Sequence, residues 1–192
     1  MSLTKYYNAY YWTAPVADLD TKVGYMAQSI GPRFRKHWGR LSNKPGGKWL
    51  FSRILGQTAP YTGSIGANIL MLSPGHCVVT MRDRRKVRNH LNSIHAMALC
   101  NLGEIVTGVA LMNSLPDKTR GILSSFSIDY KKKARGLLVA ECHCDVPSNN
   151  EEREYELIGK IRNSNDELVA IAKAYWLIGP EKQSGRTDVQ QR

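Results

Sequence analysis

One carboxylate stands alone in this sequence. Between residues 91 and 116, LNSIHAMALCNLGEIVTGVALMNSLP, Glu104 is the only acid, and there is no Lys or Arg. A carboxyl group among apolar side chains is costly to ionise, and desolvation raises its pKa. Such an acid is either a buried structural group paired with Arg or a backbone amide, or a base held ready for chemistry. The residues just before it, Arg88-Asn89-His90-Leu91-Asn92-Ser93-Ile94-His95, are rich in amides, imidazoles and hydroxyl. Ser93 is placed to cap a helix, and the free N–H groups of the first turn, around His95, Ala96 and Met97, would then face a developing oxyanion. An oxyanion site and a carboxylate are the two parts that acyl transfer or hydrolysis requires. Along one helix, however, Ala96 and Glu104 are about 12 Å apart. Two copies pairing with antiparallel helices would bring the helix start of one to the acid of the other, so the expected active unit is a homodimer with two composite sites.

The elements that must position these groups can be read around them. The 91–116 segment is long and apolar enough to mimic a membrane span. Glu104, the polar residues Asn92, Ser93, Asn101, Thr107 and Asn113, and strand-like flanks argue instead for a helix buried on most sides. Ahead of it, SIGANILML and HCVVTMRD form a hairpin across Ser73-Pro74-Gly75. After it, GILSSFSIDYKKKA, GLLVAECHCDV, REYELIGKIRNS and ELVAIAKAYWLIG read as four strands. The expected class is α+β, with five to six antiparallel strands curling around one long helix.

Residues 1–62 read as a basic helical extension, 63–180 as the main domain and 181–192 as a polar tail. In the extension, Val16, Leu19, Val23, Met26 and Ile30 have helical spacing until Gly31-Pro32 breaks or kinks it, and 48–55 forms a second amphipathic segment. Tyr6, Tyr7, Tyr10, Tyr11 and Trp12 could cap the extension on the core. The chain has 27 Lys and Arg against 16 Asp and Glu, a net +11, and +7 of it lies in residues 1–62. That excess points to an anionic partner and leaves nucleic acid, a membrane surface or a phosphorylated ligand open.

The motif and the strand order resemble the hotdog-fold thioesterase superfamily, especially the phenylacetate-pathway-type acyl-CoA thioesterases and an uncharacterised bacterial branch similar to them. Members carry an Asn or Gln, five intervening residues, a His-Gly-Gly-like helix start, and an Asp or Glu nine residues after the His. Asn89, His95 and Glu104 meet that spacing within NHLNSIHAMALCNLGE. The resemblance implies a thioester hydrolase in which Glu104 is general base or nucleophile, the backbone N–H of Ala96 or Met97 polarises the carbonyl, Asn89 orients water or substrate, and His95 shapes the turn. Ser124 or Ser125 would supply a hydroxyl from the strand after the helix. Arg82, Arg84, Arg85, Arg88 and Lys131 to Lys133 are candidates for the phosphates of an acyl-CoA. Ala96 and Met97 replace the two glycines, which narrows backbone access.

The resemblance implies an acyl-CoA or acyl-carrier thioester as partner, no cofactor, and a homodimer or a dimer of dimers. A non-catalytic acyl-CoA or lipid binder is the main alternative. Nucleic acid is a weaker reading, since no recognised binding module is present, and the basic extension could touch a membrane surface. Four cysteines and a polar, tyrosine-rich start without a cleavable signal peptide lead to a cytoplasmic expectation. Cys142-His143-Cys144 is read as strand, not metal site, because alternation parts the imidazole from the thiols and no second ligand pair stands nearby in sequence.

Overall fold

The structure, a computed structural model, describes residues 30–181. Three helices come first: α1 (Ile30–Leu41), α2 (Gly47–Thr58) and the single-turn α3 (Pro60–Ser64). The hairpin β1 (Asn68–Ser73) and β2 (His76–Arg82) follows, then a 3-10 turn at Arg85–Val87, the long helix α4 (Ala96–Ser114), and β3 (Thr119–Tyr130), β4 (Leu137–His143), β5 (Arg153–Asn163) and β6 (Leu168–Pro180).

The six strands form one antiparallel sheet in the order β1-β2-β4-β5-β6-β3. Period-two alternation supplies the face that holds α4: Cys77, Val79 and Met81 on β2, Leu138, Ala140 and Cys142 on β4, and Leu157 and Ile161 on β5 are all buried. On β6 the buried positions include three alanines, Ala170, Ala172 and Ala174. Their small size matters because α4 lies close there: a Cβ added to Gly103 would meet Ala172 and Phe126, and one added to Gly159 would lie 2.9 Å from Val106. The helix is sunk into the curve of the sheet, and the architecture is the hotdog fold. Its length and hydropathy are those of a membrane-crossing segment, yet 78% of that apolar window is buried inside the fold.

The described part of α1 begins at Ile30 and runs through Gly31-Pro32 to Leu41. Gly31 is there for contact: a Cβ would lie 2.8 Å from the Leu115 carbonyl and 2.9 Å from that of Met112. The turn α3, begun by Pro60, lies where the sequence suggested only a connection to the strands. Phe34 and Trp38 of α1 pack edge-on against Phe51 of α2, each pair 5.2 Å apart. The helical spacing from Val16, the Tyr6–Trp12 aromatics and the tail beyond Glu181 lie outside the described residues.

Candidate active site

The loop into α4 is ordered by one amide. The Asn89 Oδ1 accepts hydrogen bonds from the Leu91 N–H at 3.0 Å, the Ser93 N–H at 3.2 Å and the Ser93 hydroxyl at 3.2 Å. Asn92 takes the left-handed conformation (φ 52°) inside this turn, which asparagine tolerates better than most residues. Two backbone bonds then anchor the exit: Ile94 N–H to the Ala134 carbonyl and His95 N–H to the Val87 carbonyl, both 2.8 Å. Asn89 therefore shapes the turn through its oxygen.

The helix cap is His95, not Ser93. His95 is extended (φ −65°, ψ 141°), and its Nδ1 accepts from the Met97 N–H at 3.1 Å. Ser93 cannot do this because it lies two residues earlier and its hydroxyl is taken by Asn89. Accepting at Nδ1 requires a neutral ring with the proton on Nε2. The Ala98 and Leu99 N–H groups bond to the His95 carbonyl at 2.9 and 3.2 Å. Of the first-turn donors, the Ala96 N–H is left without an acceptor among the described residues. A hollow of about 220 Å³ opens here, and Tyr61, Lys86, Arg88, His95 and Met97 are among its walls.

Two turns along α4, Glu104 is half-buried, and its carboxylate makes no hydrogen bond or ion pair among the described residues. Desolvation holds its pKa above the ordinary glutamate range. Gly108, one turn further on, lets the Trp176 ring close on the helix beside it: a Cβ there would lie 2.8 Å from that ring and 3.8 Å from the Glu104 Oε1. Tyr130, at the end of β3, donates to the Ala96 carbonyl at 3.2 Å and lies 3.1 Å from the Cys100 Sγ. Burial, followed by the Cys100 contact, pushes its pKa up to about 12. It fastens the helix start to the sheet, a role the sequence reading missed because only the lysines after it were singled out. Within one chain the helix start and Glu104 remain two turns apart and do not converge.

The other sequence candidates scatter. Ser124 sits at a β-bulge on β3, its hydroxyl bonded to the Glu154 Oε1 at 2.8 Å and the Tyr175 carbonyl at 2.9 Å. Ser125 is exposed beside it. Arg88 is engaged by Asp83 at 2.6 Å and Lys131 by Asp129 at 3.4 Å, while Arg85 is exposed in the 3-10 turn. Cys142 points into the core and His143 outward, as alternation requires. However, β2 brings His76 opposite His143, and both imidazoles reach the Glu141 Oε1, at 2.8 and 3.2 Å. This supplies the second ligand group that the sequence lacked nearby. The donor atoms lie within 4.8 Å of one another, close enough for one ion, but the rings stack 3.9 Å apart at 12° and would have to splay to aim both nitrogens at it.

Comparison with known proteins bears on the fold first. A structural-genomics crystal structure is 27% identical, with 77% of this chain and 99% of that one covered and a TM-score of 0.63. A protein of unknown function from Pseudomonas aeruginosa, described as a probable thioesterase, is 19% identical (67% and 93% covered, TM-score 0.61). A thioesterase mutant from Staphylococcus aureus is also 19% identical (66% and 99% covered, TM-score 0.56). No curated protein matches. A domain family of unknown function, DUF4442, matches residues 47–178, spanning α2 to β6, and the chain belongs to that family.

Proposed function

We propose that the protein hydrolyses an acyl thioester, carried by CoA or by an acyl-carrier protein, at composite sites in a homodimer. The observation that carries this reading is Glu104: a desolvated carboxylate with no partner among the described residues, on a helix otherwise devoid of charge. A structural glutamate would be paired; an unpaired one is poised to take up a proton. Glu104 acts as general base, drawing a proton from the water that adds to the thioester carbonyl, or as nucleophile toward that carbon, in which case the thiolate leaves a mixed anhydride on Glu104 that water then hydrolyses. The oxyanion rests on the Ala96 N–H of the other copy, the C–S bond breaks, and the thiolate leaves with the proton returned through Glu104.

Dimer formation is supported by β3. This strand runs for 12 residues and, among the described residues, is hydrogen-bonded along one side only, to β6. A long unpaired edge is a template for another strand, and a second copy pairing along it would set two α4 helices side by side. The thioesterase-labelled structural neighbours favour the same reading. Two crystal structures of the Staphylococcus aureus protein carry single alanine replacements, one of a glutamine and one of a glutamate fifteen positions later. Asn89 and Glu104 stand at the same separation.

The test is thiol release from short, long and aromatic acyl-CoAs and from acyl-carrier thioesters, alongside native mass. Turnover by a dimer, abolished in Glu104→Ala with fold and dimer intact, is expected. Unchanged rates in that variant, or full activity in a monomer, would overturn the proposal. The hydrogen bond that occupies the Met97 N–H favours a second reading, a non-catalytic acyl-CoA binder. Its signature is thermal stabilisation by acyl-CoA without thiol release.

A further inference from the structure

Part of the basic excess gathers at one cavity. Residues 30–82 contain eight Lys and Arg and no Asp or Glu. One of these, Arg35, is spent on structure: its guanidinium donates to the Asn113 and Leu115 carbonyls at the end of α4, at 2.7 and 2.9 Å. Two others, Arg53 of α2 and Arg82 of β2, border a cavity of about 650 Å³ between α2–α3 and the β1–β2 hairpin, and Arg84 joins them. No acid lines it. Arg53 and Arg82 make no ion pair among the described residues, and the one bond of Arg84 is a 3.3 Å contact to the Ser64 carbonyl. Three guanidiniums around one hollow repel one another unless an anion joins them.

The rest of the lining narrows the anion. The cavity is of ligand size. Its floor is Leu55, Ile69 and the Ile105 side chain of α4. The Trp49 ring is 58% exposed at the rim, with the Arg53 guanidinium carbon 5.8 Å from its centre. Gln57, Thr62 and Asn68 line the wall, and their side chains make no hydrogen bond among the described residues. An exposed indole and free amides suit a heterocyclic base, and three guanidiniums suit phosphates. The site is also built to hold Arg84: Gly66 is left-handed (φ 59°), and a Cβ there would collide with that guanidinium. Ser64 borders both this cavity and the hollow at the start of α4, so α3 separates two adjoining compartments.

The geometry points to a binding site for a phosphorylated adenine nucleotide. Resting on the proposed function, we assign to it the nucleotide end of the acyl-CoA, with the thioester arm passing α3 to the helix start. Of the cations that the sequence put forward for this task, Arg88 and Lys131 are already engaged by acids, whereas Arg82 and Arg84 are not, and Arg53, which the sequence did not single out, joins them at the cavity.

Calorimetric titration of the full chain with adenosine 3′,5′-bisphosphate tests the site without catalysis. Binding is expected, weakened at least tenfold in Arg82→Ala and in Arg53→Ala, neither of which breaks a hydrogen bond, and unchanged in Arg40→Ala on α1. ATP in a parallel titration separates a CoA nucleotide from a general nucleotide site, and tighter binding of ATP overturns the assignment to acyl-CoA. Kinetically, Arg82→Ala should raise KM at least tenfold for an acyl-CoA and leave the N-acetylcysteamine thioester of the same acyl group unaffected. Absence of bisphosphate binding, or binding indifferent to Arg53 and Arg82, overturns the proposal. Arginine-dependent bisphosphate binding with no thioester turned over would uphold the nucleotide site and defeat the thioesterase reading instead.

Discussion

The two ends of α4 are built to different ends. At its C-terminus the last carbonyls accept from the Arg35 guanidinium, the Ser114 hydroxyl donates to the Ala110 carbonyl at 2.7 Å and accepts from the Gly75 N–H at 2.7 Å, and Leu115 is fully buried. A cation there also complements the negative pole of the helix. At its N-terminus the cap is an exposed imidazole, Met97 is 54% exposed, and one backbone donor has no acceptor among the described residues. Satisfied groups stabilise, and unsatisfied groups near solvent are available to a ligand. The comparison teaches that stability is concentrated at one end of the helix and chemistry at the other, with Glu104 between them.

Three measurements would break or sharpen that contrast. The largest effect is expected at Glu104. Glu104→Gln should lower thioester hydrolysis by about 10²–10⁴-fold, the range for loss of a general base, and at the same time raise stability by about 1 kcal/mol, or about 2–4 °C in Tm. The reason is linkage. Because burial raises the pKa of Glu104 in the folded protein, the fold favours its protonated form, and that contribution disappears as pH rises through the folded value. Wild type should therefore lose stability relative to the Gln variant across that window. Hydrolysis should rise over the same window, with an acid limb above the ordinary glutamate value of about 4.3. A Gln variant less stable at neutral pH than wild type would show Glu104 to be structural.

Next in size is the closed end. Arg35→Ala removes two charge-assisted hydrogen bonds to carbonyls at a partly buried helix terminus, and should cost about 2 kcal/mol in chemical denaturation. The rate constants for hydrolysis should not change; a fall in kcat without unfolding would contradict the division of labour between the ends.

The smallest effect belongs to the open end. His95→Ala removes the cap and should cost about 1 kcal/mol, but it releases the Met97 N–H to the substrate. Hydrolysis is expected to change by less than about tenfold, since the two consequences oppose each other. Wild-type stability with activity reduced a hundredfold or more would make His95 a catalytic residue.

How much of this was legible beforehand differs from residue to residue. The strands were, since period-two alternation in HCVVTMRD or GLLVAECH requires one face to be buried whichever neighbour covers it. The isolation of Glu104 was equally plain, because charge along one apolar segment can be read directly. The cap was not: Ser93 and His95 are both chemically able to accept from a first-turn N–H, and the choice fell to His95 only because Asn89 holds the Ser93 hydroxyl. The role of Tyr130 was hidden for the same reason, as its partners Ala96 and Cys100 lie 34 and 30 residues away.

Charge divides in the same way. Sequence by itself determined that the first third of the chain is basic, that one helix is apolar with a single acid, and that six strands surround it, because composition and periodicity are local properties. Tertiary structure alone decided which cations are spent and which are free. It set Arg35 on the end of α4, Arg88 on Asp83, and Arg53, Arg82 and Arg84 around one cavity. It also brought His76 against His143 and Glu141 across two strands. Pairing depends on distances between residues far apart in the chain, and those distances exist only once the sheet has closed around the helix.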